Sequence, residues 1–146
     1  MNYAIAIDPG REKCGLILAD LDNHIVIEGK VVISSSVLDL IIKWQNNYEI
    51  KLIILGNGTS SNFWYLKLIE VCKLSIKLVE ESGTTFRARG RYFEISSPNF
   101  FLRFIPKQMR IPPKNLDSFA ALLLLEDYLH RKFQWLGDIS LKTWPE

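Results

Sequence analysis

Four acidic residues stand where an apolar run meets a turn or a helix start: Asp8, the neighbours Glu80 and Glu81, and Asp117. Asp8 closes YAIAI and is followed at once by Pro9-Gly10; Glu80 closes SIKLV; Asp117 opens the apolar run SFAALLLL. Carboxylates gathered without basic partners repel one another, and such a cluster is stable only when a cation neutralises it. Hard oxygen donors favour Mg2+ or Mn2+. Two such ions about 4 Å apart activate a water and stabilise the leaving oxygen of a phosphodiester. Each acid also has a plainer use. Asp8 before Pro-Gly suits an Asx-turn, Glu80 and Glu81 suit a solvated strand end, and Asp117 suits a helix N-cap, worth about 1 kcal/mol. The elements that carry these residues therefore decide the matter.

Residues 3–7, 14–19 and 25–33 read as strands, the last rich in β-branched residues. The polar turn Leu21-Asp22-Asn23-His24 joins the second and third as a hairpin. Ser34-Ser35-Ser36 can cap a helix over about 37–48, and Thr59-Ser60-Ser61 a second helix running to about Cys72. Residues 51–55 (KLIIL) and 75–80 (SIKLVE) read as two further strands. A third helix over about 85–94, capped by Thr84 or Thr85, precedes a proline-containing irregular segment, 96–114, with a short helix around 99–104. Residues 116–130 form the clearest helix, and the tail from about 132 reads as loop. The order β-β-β-α-β-α-β-α-α implies an α/β fold with a mixed five-stranded sheet, strand order 3-2-1-4-5, flanked by helices on both faces. Ligands of such sheets sit beyond the carboxyl ends of the parallel strands. Asp8 and Glu80 or Glu81 share that edge, provided that the last helix packs with Asp117 beside it.

At 146 residues the chain fits one domain, 1–146, and its 48% apolar content excludes wholesale disorder. No apolar run approaches the ~20 residues of a bilayer span, and the N-terminus lacks the basic start of a secretory signal. Cys14 and Cys72 have no metal-site spacing and read as reduced, buried thiols, consistent with a cytoplasmic protein that does not enter membranes. His24 and His130 lie far apart without a nucleophile at telling spacing, so a hydrolase triad is not supported.

The net charge of +2 conceals an uneven distribution. Residues 87–114 carry seven basic residues against Glu94, or +6, while the remaining 11 basic and 15 acidic residues give −4. A basic block on an otherwise acidic chain suggests a polyanionic partner. Arg87 and Arg91, one helical turn apart, and Arg103, Lys107 and Arg110 are candidate phosphate contacts, with Arg11 and Lys13 beside Asp8. Arg89 points elsewhere and reads as serving the fold. Gly56-Asn57-Gly58-Thr59 can hold a phosphate at a helix N-terminus or be an ordinary turn. Phe100, Phe101 and Phe104 can stack on unpaired bases or pack in the core.

Three stretches, IDPGREKCGLILAD, VEESGTTFRARGRYF and RIPPKNLDSFAALLLLEDYL, together resemble the YqgF/RuvX family of Holliday-junction-resolvase-like proteins, also described as pre-16S rRNA nucleases of the RNase H-like superfamily. The first resembles the family's Asp-x-Gly turn through Asp8 and Gly10. The second resembles its Asp-Glu-Arg-x-Thr-Thr motif through Glu81, Thr84 and Thr85, and the third its Asp-x-x-Ala-Ala helix through Asp117, Ala120 and Ala121. The resemblance runs from residue 3 to about 130 and chooses Glu81 over Glu80. It implies a Mg2+-dependent nuclease with Asp8, Glu81 and Asp117 as catalytic metal ligands, acting on structured RNA such as an rRNA precursor or on branched DNA. Glu80 replaces the motif's usual Asp and Ser82 its usual Arg. The loss of that cation keeps an alternative open: a catalytically inactive nucleic-acid-binding module of the same fold. A junction resolvase needs a symmetric dimer to cut paired strands, whereas an RNA-processing enzyme can act as a monomer. An actin-like ATPase lobe opens on a similar Asp-x-Gly turn, but clasping a nucleotide takes two lobes and this chain supplies one.

Overall fold

Period-2 alternation of apolar residues begins at Tyr3 and builds the sheet from its centre outward. In the computed structural model, which describes residues 1–81, 83–96, 104, 106, 115–136 and 141–145, β1 (Tyr3–Asp8), β2 (Lys13–Asp20) and β3 (Ile25–Ile33) form an antiparallel meander. A 3-10 turn over Ser34–Ser36 leads into α1 (Val37–Asn47). Next come β4 (Ile50–Asn57), α2 (Ser61–Val71), β5 (Ser75–Glu80) and α3 (Thr84–Ile95). The helix α4 (Asp117–Leu129) follows. Both β4 and β5 run parallel to β1, so the expected order 3-2-1-4-5 holds for the first five strands. The expected short helix around 99–104 falls outside the described residues apart from Phe104.

Among the described residues the sheet has seven strands rather than five. Two short pairings from the tail, β6 (Gln134–Trp135) and β7 (Thr143–Trp144), lie parallel along the outer edge of β3. The tail is therefore not simply loop. An uncovered edge strand leaves backbone donors and acceptors without partners, and the returning chain supplies them. Two-residue strands are too short to show periodicity, so the sequence could not announce them.

Side-chain alternation divides the core between the two faces. Ile5, Ile7, Leu16 and Leu18 meet Leu40, Ile41 and Trp44 of α1 and Trp64 and Leu68 of α2. Ala4, Ala6, Ile17, Ala19 and Ile54 meet α4, which is buried continuously from Ser118 to Glu126. The small residues are on the α4 side. A side chain at Gly15 would strike the backbone of Asp117 and Ser118, so the bare Cα there lets the start of α4 lie directly on β2. Gly29 does the same for Trp135, whose indole would meet any added Cβ and which stacks on Phe119 at 4.8 Å. Among the described residues no helix is long and apolar enough to cross a membrane.

Among the described residues, none of the helices α1 to α4 uses the side-chain cap expected of it. Ser60, Gly83 and Leu116 hold the N-cap positions of α2, α3 and α4, and none makes a capping bond; neither does Ser36 before α1. The candidate groups are engaged elsewhere: Ser34 Oγ donates to the Arg11 carbonyl, Ser61 Oγ to that of Gly58, and Asp117 lines a cavity. Trp135→Ala should cost about 3–5 kcal/mol, the usual penalty for removing a buried aromatic. Urea unfolding measures it, and a cost below about 1 kcal/mol would mean that the tail does not complete the core.

Candidate active site

The alternation that directs Ala4 and Ala6 towards α4 directs Asp8 the same way. Asp8 pairs with Gly15 of β2, where α4 begins. On the other side of β1, Ile7 pairs with Leu55, so Gly56 of β4 comes next to Asp8. Glu81 follows the last residue of β5, and its carboxyl group lies over Gly56 and Gly58; a Cβ at Gly58 would come within 2.9 Å of it. Glycines on both neighbouring strands thus open the sheet edge so that a carboxyl group from beyond β5 and the start of α4 can reach Asp8. Glu80 is exposed, and Glu81 is the inner member of the pair.

The electrostatics follow from this crowding. The Asp8 carboxyl is pushed up to about 8, first by burial, then by its hydrogen bond with Glu81, then by the negative charges of Glu81 and Asp117. Glu81 Oε1 and Asp117 Oδ2 are buried without a hydrogen-bond partner. Lys13 Nζ approaches Asp117 Oδ2 to 3.8 Å, near enough for attraction and too far for a hydrogen bond, and also donates to Asn115. The donor set is all carboxylate oxygen, which suits a hard cation. Among the described residues, however, no three His, Cys, Asp or Glu side chains stand in metal-holding geometry as they are. The fit is one of chemistry and proximity, with the Asp8 proton occupying part of the place of a cation.

The turn after Asp8 is held by other residues. Gly10 N donates to Cys14 Sγ at 3.4 Å, the thiol donates to Gly10 O at 3.8 Å, and Trp64 Nε1 donates to the same carbonyl at 3.3 Å. Burial raises the Cys14 thiol to about 11, so it stays protonated as a brace. Both cysteines are free and buried. An Asx-turn at Asp8 is not needed, and its carboxyl faces a cavity of about 210 Å³ lined also by Thr85, Ala88, Arg89, Leu116, Asp117 and Ala120.

The basic residues divide their work differently from the expectation. Arg87 and Arg91 do share a face, but α4 claims it. Arg87 forms a two-pronged pair with Asp127 at 2.7 and 2.8 Å and holds that carboxyl below its usual range. Arg91, 10% exposed, binds Glu126, 7% exposed, and also reaches Glu94 and the Phe133 carbonyl. These two arginines fasten α3 to α4, and a second cleft there, about 430 Å³, is lined by the same pairs. Arg11 lies in a groove with Ser34, Ser35, Phe63, Trp64 and Lys67 on the other side of the Asp8 turn. Phe104 is exposed. Arg103, Lys107, Arg110, Phe100, Phe101 and Ser82 lie outside the described residues. Thr85 and Arg89 line the Asp8 cavity, so Arg89 does not simply serve the fold. Their i, i+4 spacing was legible, but which flank of α3 would face the acids was not.

No known family model matches the sequence, and no curated protein does. Solved structures do. RuvC from Thermus thermophilus in complex with a Holliday junction substrate superposes with a TM-score of 0.51 at 15% identity, covering 89% of this chain and 96% of that one. A second Thermus thermophilus RuvC structure gives 0.52 at 12% identity, covering 88% and 95%. The chain has the RNase H-like fold. Within this RNase H-like frame, the central strand ends on Asp8 and the last long helix begins on Asp117.

Two outcomes follow from these geometries. In metal-free protein, folded Asp8 keeps its proton to about pH 8, whereas the ordinary value is 3.8. Between those values the folded state binds more protons, so this contribution to stability is complete below about pH 4 and is lost as pH rises towards 8. Asp8→Asn removes the loss. Urea midpoints should show the variant gaining on the parent as pH rises, by about 1 kcal/mol or more at pH 8; parallel profiles would refute the assignment. Arg91→Ala should cost about 3–5 kcal/mol, because it strands the buried Glu126 charge. Thermal unfolding checks this, and near-native stability would show that the pair does not fasten the helices.

Proposed function

We propose that this protein is a metal-dependent nuclease that hydrolyses phosphodiester bonds of branched DNA or structured RNA. The observation that carries the reading is the half-buried meeting of Asp8, Glu81 and Asp117 at the sheet edge, with two carboxylate oxygens unsatisfied and the Asp8 carboxyl pushed up by burial and by its neighbours. Asp8, Glu81 and Asp117 would hold Mg2+ or Mn2+. When bound, such ions supply an activated water and charge stabilisation for the leaving oxygen. Asp8 would give up its proton to hold them. Ala88, Leu116 and Ala120 form apolar lining of the cavity, which strengthens charge interactions inside it. Similarity to a RuvC solved with a Holliday junction substrate supports branched DNA. The resemblance to YqgF/RuvX proteins supports an rRNA precursor processed in the cytoplasm. A symmetric homodimer fits the first substrate and a monomer the second, each built on the domain 1–146.

A second reading, a nucleic-acid-binding module without catalysis, draws on Lys13. Its ammonium group near Asp117 and the proton between Asp8 and Glu81 offset the acidic charge without a metal. Incubating labelled four-way DNA and structured RNA with increasing Mg2+ or Mn2+ separates the two. Cleavage of either, lowered by at least about a hundredfold in Asp8→Asn while binding persists, is the outcome expected of a nuclease. Retained binding with no cleavage of either substrate would leave the binding module.

A further inference from the structure

We infer that Arg89, assisted by Thr85, grips a backbone phosphate of the substrate across the cavity from Asp8 and Asp117. This rests on the reading of that cavity as a phosphodiester site. The helix α3 has three working faces. Thr84 and Ala88 are buried against the protein. Arg87 and Arg91 project to one flank and are bound by Asp127 and Glu126. Thr85 and Arg89, also four residues apart and therefore stacked along the helix, project to the other flank and line the 210 Å³ cavity with Asp8 and Asp117.

Arg89 makes no hydrogen bond or ion pair among the described residues, and its side chain is exposed. The carboxylates are not using it. The charges acting on Asp8 are those of Glu81 and Asp117, and the cation beside Asp117 is Lys13. Among the described residues, the rest of the lining, Ala88, Leu116 and Ala120, offers no side-chain anion. An arginine and two acids lining one open space, with neither side satisfied by the other, suit a group that can bind both. A phosphodiester has that chemistry: one non-bridging oxygen can meet a cation held by the acids while another accepts the fork of an arginine. The Thr85 hydroxyl, one turn earlier on the same flank, can donate to the same group.

Affinity for a four-way DNA junction and for a structured RNA hairpin, measured in EDTA over a range of salt, tests the assignment without cleavage. Arg89→Ala should bind about tenfold more weakly and lower the salt slope by about one counterion, while Arg89→Lys keeps the slope. Thr85→Val should weaken binding less than Arg89→Ala does. Lys43→Ala, an exposed charge on α1 across the sheet, is the control and should bind as the parent does. Affinity and slope unchanged in Arg89→Ala, with an unchanged unfolding midpoint, would overturn the inference; if that variant unfolds, Arg89→Gln is read in the same way. Should the parent bind but not cleave when Mg2+ is added, the nuclease reading fails while the Arg89 result stands. Should the parent cleave and Arg89→Ala bind equally well, this inference fails alone. Absence of binding to either nucleic acid, in EDTA and again with Mg2+ in place of EDTA, would overturn both.

Discussion

Three carboxyl groups, Asp8, Glu81 and Asp117, are brought to one sheet edge partly removed from water, where like charges repel more strongly than in open solvent. Left to relax, they would separate. The chain prevents this by denying each of them an easier position. Asp8 is the last residue of the central strand, paired to Gly15 and followed by a turn clamped through Cys14 and Trp64. Asp117 starts a helix whose next nine residues are buried, so it cannot back away without uncovering the core. Glu81 has its carboxyl seated over Gly56 and Gly58. The repulsion is therefore borne by the fold, and a proton on Asp8 relieves it in the absence of a metal.

The same constraint accounts for the asymmetry of the two sheet faces. Where α1 and α2 pack, the strands carry Ile5, Ile7, Leu16 and Leu18, which fill space in the ordinary way. Where α4 packs, β1 and β2 carry Ala4, Ala6, Gly15 and Ala19, with Ile17 alone bulky among them. Volume given up by the strands is taken by the helix, with its unbroken Leu122–Leu125 run and Phe119. Close approach is what lets a residue on α4 share a cavity with a residue on β1. The cations are sorted by the same geometry: Arg87 and Arg91 hold α3 against α4, and Arg89, only two residues from each, faces the acids.

The order of the five main strands, the two-faced sheet, the α4 core helix and the set of three acids were legible because each leaves a local mark. Alternation marks the strands, a 3.6-residue period marks the helices, and an acid at the end of an apolar run marks an element boundary. The short strands β6 and β7 leave no such mark, since two residues have no period; what brings them in is the free edge of β3 and the indole slot over Gly29. The caps failed for a related reason. Ser34, Ser61 and Asp117 are all plausible caps by type, but each hydroxyl or carboxyl had a competing partner or place that only the folded chain supplies.

By itself, the amino-acid sequence determined which residues end strands and open helices, and hence that Asp8, an acid of the Glu80-Glu81 pair and Asp117 could share one edge. That follows from short-range sterics and burial, which act over a few residues. The resemblance to a known family chooses Glu81 over Glu80, and the tertiary structure turns Glu81 inward; the tertiary structure alone decided that Arg87 and Arg91 are taken up by Asp127 and Glu126, and that Arg89 is the arginine lining the Asp8 cavity. Those outcomes depend on the rotation of α3 and the depth of α4 on the sheet. Both are set by packing between residues far apart in the chain, through glycines at 15 and 56 whose effect is to let another backbone or side chain come close.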